Sequence, residues 1–433
     1  MNVCVLGQGY VGLTLSLVLA DCGIRVYGVD ANNDVVTSLN KGIPTISEKD
    51  VKGLLEKHLN KNYTISNHIK DNSNFDAFVI SVGTPLDSDK VPILDFVKEA
   101  ASLVGSKIKK DNLVILRSTV PIGTSRNTVI PILEKESNMK NEIDFQVVFA
   151  PERTAEGVAI KELRTNPQII GGISEKGVNQ ASDIFKKITK SILTVSSIEA
   201  AEMIKLIDNT YRDIRFAYAN EIAIICEMLK LNANECITKA NQNYSRNSIP
   251  IPSPGVGGPC LSKDPHILMH VAKKFDFNAE VIGHSRELNE FVPKHLAIKL
   301  INKLKKLSKN TNSKIFIIGF AFKGNPETDD SRNSSTELLI KELKKEFPNI
   351  YGYDPVVKKS EIMKMGAKSV SIEEGFENAD CVIVMNNHKS YLQLDIDHLL
   401  NKSNLPVIFA DCWSMFKKSY DKKRILYTGI GIE

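Results

Sequence analysis

The chain has 433 residues, 42% hydrophobic and 25% charged, with 25 Gly and 17 Pro, which excludes a disordered or low-complexity polypeptide and a single small module. Its 56 Lys and Arg against 51 Asp and Glu leave +5, too dilute to single out nucleic acid as a partner yet compatible with an anionic small molecule. Seven Cys without zinc-type spacing, an apolar start without a basic lead, and no apolar run of ~18–20 residues together imply a reduced, soluble, cytoplasmic protein without metal or membrane partner.

Residues 2–6 read as a buried strand. The turn Gly7-Gln8-Gly9-Tyr10-Val11-Gly12 follows, then an apolar helix to Asp21 with Gly23 as its stop, then a strand over 24–29 ending at Asp30. Strand, glycine turn, helix, strand is a βαβ unit with a right-handed crossover. Such a turn aims backbone N–H groups and the positive end of a helix at a pyrophosphate. Asp30, at the end of the second strand, is placed to accept from ribose hydroxyls and to repel a 2′-phosphate, so the pattern points to NAD rather than NADP. Strand-like runs at 77–82, 113–117, 145–150 and 169–171, separated by helical segments, extend this into a mostly parallel, doubly wound sheet.

From Ser197 the period changes. Ile204, Ile207, Tyr211, Ile214, Tyr218, Ile222, Ile225 and Leu229 recur every three or four residues without a breaker, longer than the ~10–14 residues of an ordinary helix. A domain spine, a subunit interface or a buried core helix each fits. The turn-rich stretch 250–259 then leads into Cys260 and an apparent helix, where N-terminal amides favour a thiolate. The other six Cys read as core fillers. Lys299, Lys303, Lys305, Lys306 and Lys309 read as a polar separator between domains. From Lys314 the alternation resumes, with strands at 315–319, 350–353, 381–385 and 407–410 and a helix over 335–347: a second, smaller α/β domain.

Certain residues form a chemical set. Asp264 lies four residues beyond Cys260, Asn209 four beyond Lys205, and Glu152 ends a strand, where doubly wound sheets place their ligands. Thiol, amine, amide and carboxylates supply the groups for oxidation of an alcohol through an enzyme-bound thioester.

With these residues in view, the sequence resembles the UDP-glucose/UDP-mannuronic acid dehydrogenase family over its whole length. The ordered motifs are the glycine turn through Leu13, Thr84-Pro85, Arg117-Ser-Thr-Val-Pro-Ile-Gly-Thr124, Ala150-Pro-Glu-Arg-Thr-Ala-Glu-Gly157, Lys205-Leu-Ile-Asp-Asn209, Gly255-Val-Gly-Gly-Pro-Cys-Leu-Ser-Lys-Asp264, Ala321-Phe-Lys323 and Asp330-Ser-Arg332. The resemblance implies an N-terminal Rossmann-like NAD domain (1–196), a central helical region that dimerises (197–300) and a Rossmann-like UDP-sugar domain (313–433). It further implies that the sugar C6 hydroxyl is oxidised twice by NAD through a Cys260 thiohemiacetal and thioester. Lys205, Asn209 and a water held by Asp264 would stabilise oxyanions, and Glu152 would be acid/base in hydrolysis. Thr84, Thr119, Glu156 and Arg332 would join Gly7, Gly9, Tyr10, Val11, Gly12 and Asp30 around NAD. Gly257, Lys323 and Arg246, the last from a partner subunit, would meet the UDP-sugar.

The substrate signals within this resemblance diverge. Arg153 and the segment 325–332 are similar to members acting on N-acetylhexosamines, Ala155-Glu156-Gly157 is similar to the glucose branch, and Pro259 matches neither. UDP-N-acetylmannosamine, then UDP-N-acetylglucosamine, is the expected substrate, with UDP-glucose the alternative. A simple two-electron dehydrogenase would not need Cys260, and an NAD-responsive scaffold would bind without turnover.

Overall fold

The apolar runs and glycine turns build two sheets, each covered on both faces. The structure, a computed structural model, describes residues 1–70, 73–416 and 420–432. The first sheet comprises β1 (Asn2–Leu6), β2 (Arg25–Val29), β3 (Tyr63–Ser66), β4 (Ala77–Ile80), β5 (Leu113–Leu116), β6 (Gln146–Phe149), β7 (Gln168–Gly172) and β8 (Ile192–Val195). Their order is β3-β2-β1-β4-β5-β6-β7-β8, with only the β6–β7 pair antiparallel. Val3 and Val5 pack to one side with Leu13, Leu17 and Val79, while Cys4 and Leu6 pack to the other with Phe78, Val114 and Phe149. Strands buried on both faces are what parallel sheets between helices require.

The second sheet comprises β9 (Ile315–Ile318), β10 (Ile350–Tyr353), β11 (Lys368–Ser369), β12 (Cys381–Val384), β13 (Val407–Asp411) and β14 (Ile425–Thr428). It is wholly parallel, in the order β11-β10-β9-β12-β13-β14, which repeats the order of the first six strands of the first sheet. The repetition extends to the turns. The Gly7 N–H donates to Val29 O at 2.8 Å and the Gly319 N–H to Tyr353 O at 2.9 Å, both glycines having positive φ. Asp30 accepts from the Gln8 N–H at 2.6 Å, and Asp354 from the Phe320 N–H at 2.7 Å. In each sheet the strand order reverses beside the first strand, which opens a crevice at the carboxyl ends.

The chain divides into two units. One holds Met1–Asp208 and His266–Asn278; the other holds Asn209–Pro265 and the described residues from Ala279 onward. Helix α1 (Tyr10–Asp21) follows the glycine turn. The long helix is α2 (Ile198–Met228), followed by α3 (Ala233–Asn241), α4 (Asp264–Lys273) and α5 (Glu280–Lys306). The expected apolar stripe of α2 is split: Ile207, Tyr211, Tyr218 and Ile225 are between 45% and 58% exposed, while Ile204 and Ile222 are partly buried against the cores. Its buried face carries Ala217 and Ala223 together with the polar Glu202, Asn209, Asp213 and Asn220.

Lys299 lies within α5 and donates to Glu227 Oε1 at 2.9 Å and to the carbonyls of Gly429 and Ile432 at 2.9 and 2.6 Å. Helical continuity places it over packed chain, where its ammonium finds acceptors. Cys236 is exposed rather than a core filler, and Cys22 only partly buried, whereas Cys4, Cys226, Cys381 and Cys412 are buried as expected. Among the described residues no helix is long and apolar enough to cross a membrane, and no group of three His, Cys, Asp or Glu side chains is placed to hold a metal.

Candidate active site

The first unit carries one candidate cluster at the crevice of its sheet. A Cβ on Gly12 would stand 1.8 Å from Gly7 O, so α1 presses onto the strand end only because position 12 lacks a side chain. Among the described residues, apart from its immediate chain neighbours and nearby helix backbone, nothing lies within 4 Å of the corresponding point on Gly9, which leaves the turn open in front of α1. The helix has neither a side-chain cap nor an acidic residue in its first turn, so its amides and dipole are available to an anion. Val11 is partly buried in that turn. Asp30 remains partly exposed beside it, whereas Asp354 in the second sheet is buried under N–H donors from Phe320, Ala321, Val356 and Val357. The first crevice, not the second, therefore keeps a carboxylate for a ribose, and these residues fit a dinucleotide.

Neighbouring loops are pinned around this turn. Thr84 Oγ1, buried after β4, donates to Thr119 O after β5 at 2.6 Å. Glu202 on α2 accepts from the N–H groups of Gly123 and Ser125 at 2.5 and 2.8 Å and so holds the loop that carries Thr119. Burial pushes the Glu202 carboxyl up, against those hydrogen bonds. Tyr10 OH donates to Glu48, whose carboxylate also accepts from the N–H groups of Gly157 and Ala159 at 2.6 and 3.0 Å. Glu48 thereby ties the glycine turn to the loop holding Glu156, which is partly buried.

Glu152 lies at the foot of that loop, buried after β6. Its carboxylate accepts from Arg117 Nη2 at 2.7 Å and from the N–H groups of Arg153 and Thr154, both at 2.8 Å. Arg117, 2% exposed, also donates to Ala150 O at 2.9 Å. Burial alone would push the Glu152 carboxyl up; the Arg117 charge and the hydrogen bonds from Arg117 and Thr154 outweigh it and hold Glu152 below the usual glutamate range. A carboxylate held ionised is in the state from which a base takes up a proton. Lys205 Nζ donates to Glu152 O at 2.5 Å, and Arg153 Nε pairs with Asp208 Oδ2 at 2.6 Å.

In the second unit, Cys260 is exposed. Its carbonyl accepts from the N–H groups of Lys263 and Asp264 at 3.0 and 2.8 Å, forming the turn that opens α4. The helix thus starts four residues after Cys260 rather than immediately after it. Asp264, 1% exposed, accepts from Asn209 Nδ2 at 2.6 Å through Oδ2. Its Oδ1 is buried without a hydrogen bond, 3.4 Å from Lys263 Nζ. A Cβ on Gly257 would meet Asn333 O at 2.2 Å, so the approach to Cys260 is packed backbone to backbone on the loop after β9. Lys323, partly buried on that loop, has Nζ 5.4 Å from the centroid of the Phe322 ring.

Arg246 and Arg332 are exposed, and Arg332 pairs with Asp330. Sequence reading passed over Arg117, Glu202 and Glu48 as site residues. Their signal was weak because each partner is distant in sequence, though a charged residue inside the apolar run ending at Arg117 was visible.

Three family models of UDP-glucose/GDP-mannose dehydrogenases match consecutive parts of the chain: the NAD binding domain over residues 1–189, the central domain over 199–291 and the UDP binding domain over 316–418. A UDP-N-acetyl-D-mannosamine dehydrogenase from Pyrococcus horikoshii is 32% identical over 433 residues, covering 100% of this chain and 99% of its own. One from Campylobacter jejuni is 32% identical over 411 residues, covering 92% and 98%. A solved UDP-D-ManNAc dehydrogenase structure from P. horikoshii superposes with a TM-score of 0.91 at 31% identity, covering 100% of this chain and 99% of that one. The nucleotide-ready glycine turn, the second Rossmann-like sheet and these full-length matches agree: the chain belongs to the UDP-glucose/GDP-mannose dehydrogenase family and is an NAD-dependent nucleotide-sugar dehydrogenase.

Proposed function

We propose that this enzyme oxidises C6 of UDP-N-acetyl-D-mannosamine, with UDP-N-acetylglucosamine next in preference, to the UDP-hexosaminuronate. The observation that carries the reading is an exposed Cys260 on a glycine-rich turn whose next helix begins with a buried Asp264 bound to Asn209. NAD, when bound by the glycine turn and Asp30, supplies the electron acceptor for both oxidations. Cys260 Sγ adds to the C6 aldehyde to give a thiohemiacetal, which is oxidised to a thioester. Lys205 and Asn209, one helical turn apart on α2, donate to the C6 oxygen as negative charge develops there. The buried Oδ1 of Asp264, ion-paired with Lys263 but without a hydrogen bond, is the acceptor for a water. That water attacks the thioester carbon, the C–S bond breaks, and the Cys260 thiolate leaves. Ionised Glu152 acts as base in this hydrolysis, and its carbonyl orients Lys205.

Thr84, Thr119, Glu156 and Arg332 complete the NAD contacts in this account; Arg153, Gly257, Lys323 and the partner's arginine at position 246 meet the sugar nucleotide. The named activities of the relatives support the N-acetylated substrate, as does Arg153. The outward stripe of α2, with Ile207, Tyr211, Tyr218 and Ile225 spaced by four and seven residues, supports a homodimer, since a seven-residue seam is self-complementary about a twofold axis. A thiol that must stay reduced suits the cytoplasm.

Competition between UDP-N-acetylmannosamine, UDP-N-acetylglucosamine and UDP-glucose tests the substrate. The expected kcat/KM for the first exceeds that for UDP-glucose by more than about a hundredfold. Equal or higher kcat/KM for UDP-glucose would reassign the enzyme to glucuronate formation.

A further inference from the structure

Arg286 ranks with Arg117 as the largest fully buried side chain among the described residues. It projects from α5. Nη1 donates to Asp213 Oδ1 at 2.7 Å and to Leu261 O at 3.0 Å, and Nη2 donates to Val256 O at 2.8 Å. Those two carbonyls flank Cys260, one four residues before it and one directly after it. A single planar fork therefore spans the turn that carries the cysteine.

The anchor beneath this fork is built in the same way. Asn289, one turn further along α5, donates through Nδ2 to Asp213 Oδ1 and to Asp213 O, both at 2.9 Å. Its Oδ1 accepts from Asn220 Nδ2 at 3.1 Å, and Asn220 Oδ1 accepts from the Ser253 N–H at 2.9 Å. All four side chains are buried, and the chain of bonds ends at the other end of the same loop. Gly255, Gly257 and Gly258 let that loop lie close against neighbouring chain. The directed hydrogen bonds from α5 add an orientation that close contact alone does not set.

We infer that Arg286, seated on Asp213, is a positioning residue that sets the place of Cys260 Sγ from helix α5. The inference rests on Cys260 being the nucleophile. It follows that loosening the fork slows the chemical steps while leaving the first sheet's NAD contacts intact, because a displacement near 1 Å of a reacting group costs about a hundredfold in rate.

The test is Arg286→Lys, which keeps a cation beside Asp213 but cannot bridge both carbonyls. Full-length enzyme is assayed with UDP-N-acetylmannosamine and, if that is not turned over, with whichever of the three UDP-sugars is. The expected result is a kcat lower by about thirty- to a hundredfold with KM for NAD within about twofold. Asp213→Asn provides a second variant should the first not fold. It is expected to lower kcat by about tenfold, and the double variant to be no worse than Arg286→Lys alone. A kcat within about threefold of the parent enzyme, or a loss of NAD affinity parallel to the loss of kcat, would overturn the inference. Cys260→Ser run alongside separates the two readings. If it is inactive while Arg286→Lys is unimpaired, the positioning role fails alone. If Cys260→Ser turns over normally, the nucleophile reading has failed and the inference falls with it.

Discussion

Arg117 and Glu152 form a buried charge pair at 2.7 Å, with side chains 1% and 8% exposed. Removing the arginine alone leaves a carboxylate in a dry site, so Arg117→Met is expected to destabilise the protein by about 3–5 kcal/mol in urea unfolding. Adding Glu152→Gln should recover part of that loss, because the unpaired charge is then gone. A cost below about 1 kcal/mol for Arg117→Met would mean that the pair is better solvated than its burial indicates. Glu152 was legible in the sequence as a carboxylate at a strand end. Arg117 was quoted only as part of a motif, because its partner is 35 residues away and only the β5–β6 pairing brings them side by side.

At the level of elements, the four strands that the sequence reading left out, β3, β8, β11 and β14, are the four edges of the two sheets. An edge strand has one neighbour and less two-sided burial, as the half-exposed β8 shows, so the apolar run that marks a central strand is diluted. Helix α2 shows the converse: its apolar stripe was plain in sequence, but only burial reveals that Ile207, Tyr211, Tyr218 and Ile225 are exposed while Asn209, Asp213 and Asn220 are buried. Replacing Tyr211 and Tyr218 together by Glu should therefore convert a dimer to a monomer in light scattering at micromolar concentration; an unchanged mass would remove α2 as the interface. The inward face makes a second prediction. Burial pushes the Asp213 carboxyl up to about 6, against the charge of Arg286 and the Asn289 hydrogen bond, and its Oδ2 has no hydrogen-bond donor. The folded state thus binds this proton more tightly than the unfolded state, so this group's contribution to stability falls as pH rises toward about 6 and is level above it. Subtracting Asp213→Asn from the parent in thermal melts should expose that slope. A difference that does not vary between about pH 4.5 and 7 would contradict it.

For the whole molecule, the two sheets repeat one strand order and one glycine turn, yet differ at their acidic strand ends: Asp30 accepts from two backbone N–H groups and stays partly exposed, while Asp354 is buried under four. The dinucleotide half was legible because its glycine spacing is a backbone requirement written directly in residues. The second half was legible as alternation alone, since its turn needs only Gly319 and a buried aspartate. Family membership joins these halves to an NAD-dependent oxidation of a nucleotide sugar, and in the proposed mechanism Cys260 carries the sugar through two successive oxidations. The most direct test is the NADH formed from limiting UDP-N-acetylmannosamine with excess NAD, run to completion. Two NADH per sugar for the parent enzyme and no uronate from Cys260→Ser are expected; one NADH per sugar, or full uronate yield without the thiol, would contradict the thioester mechanism.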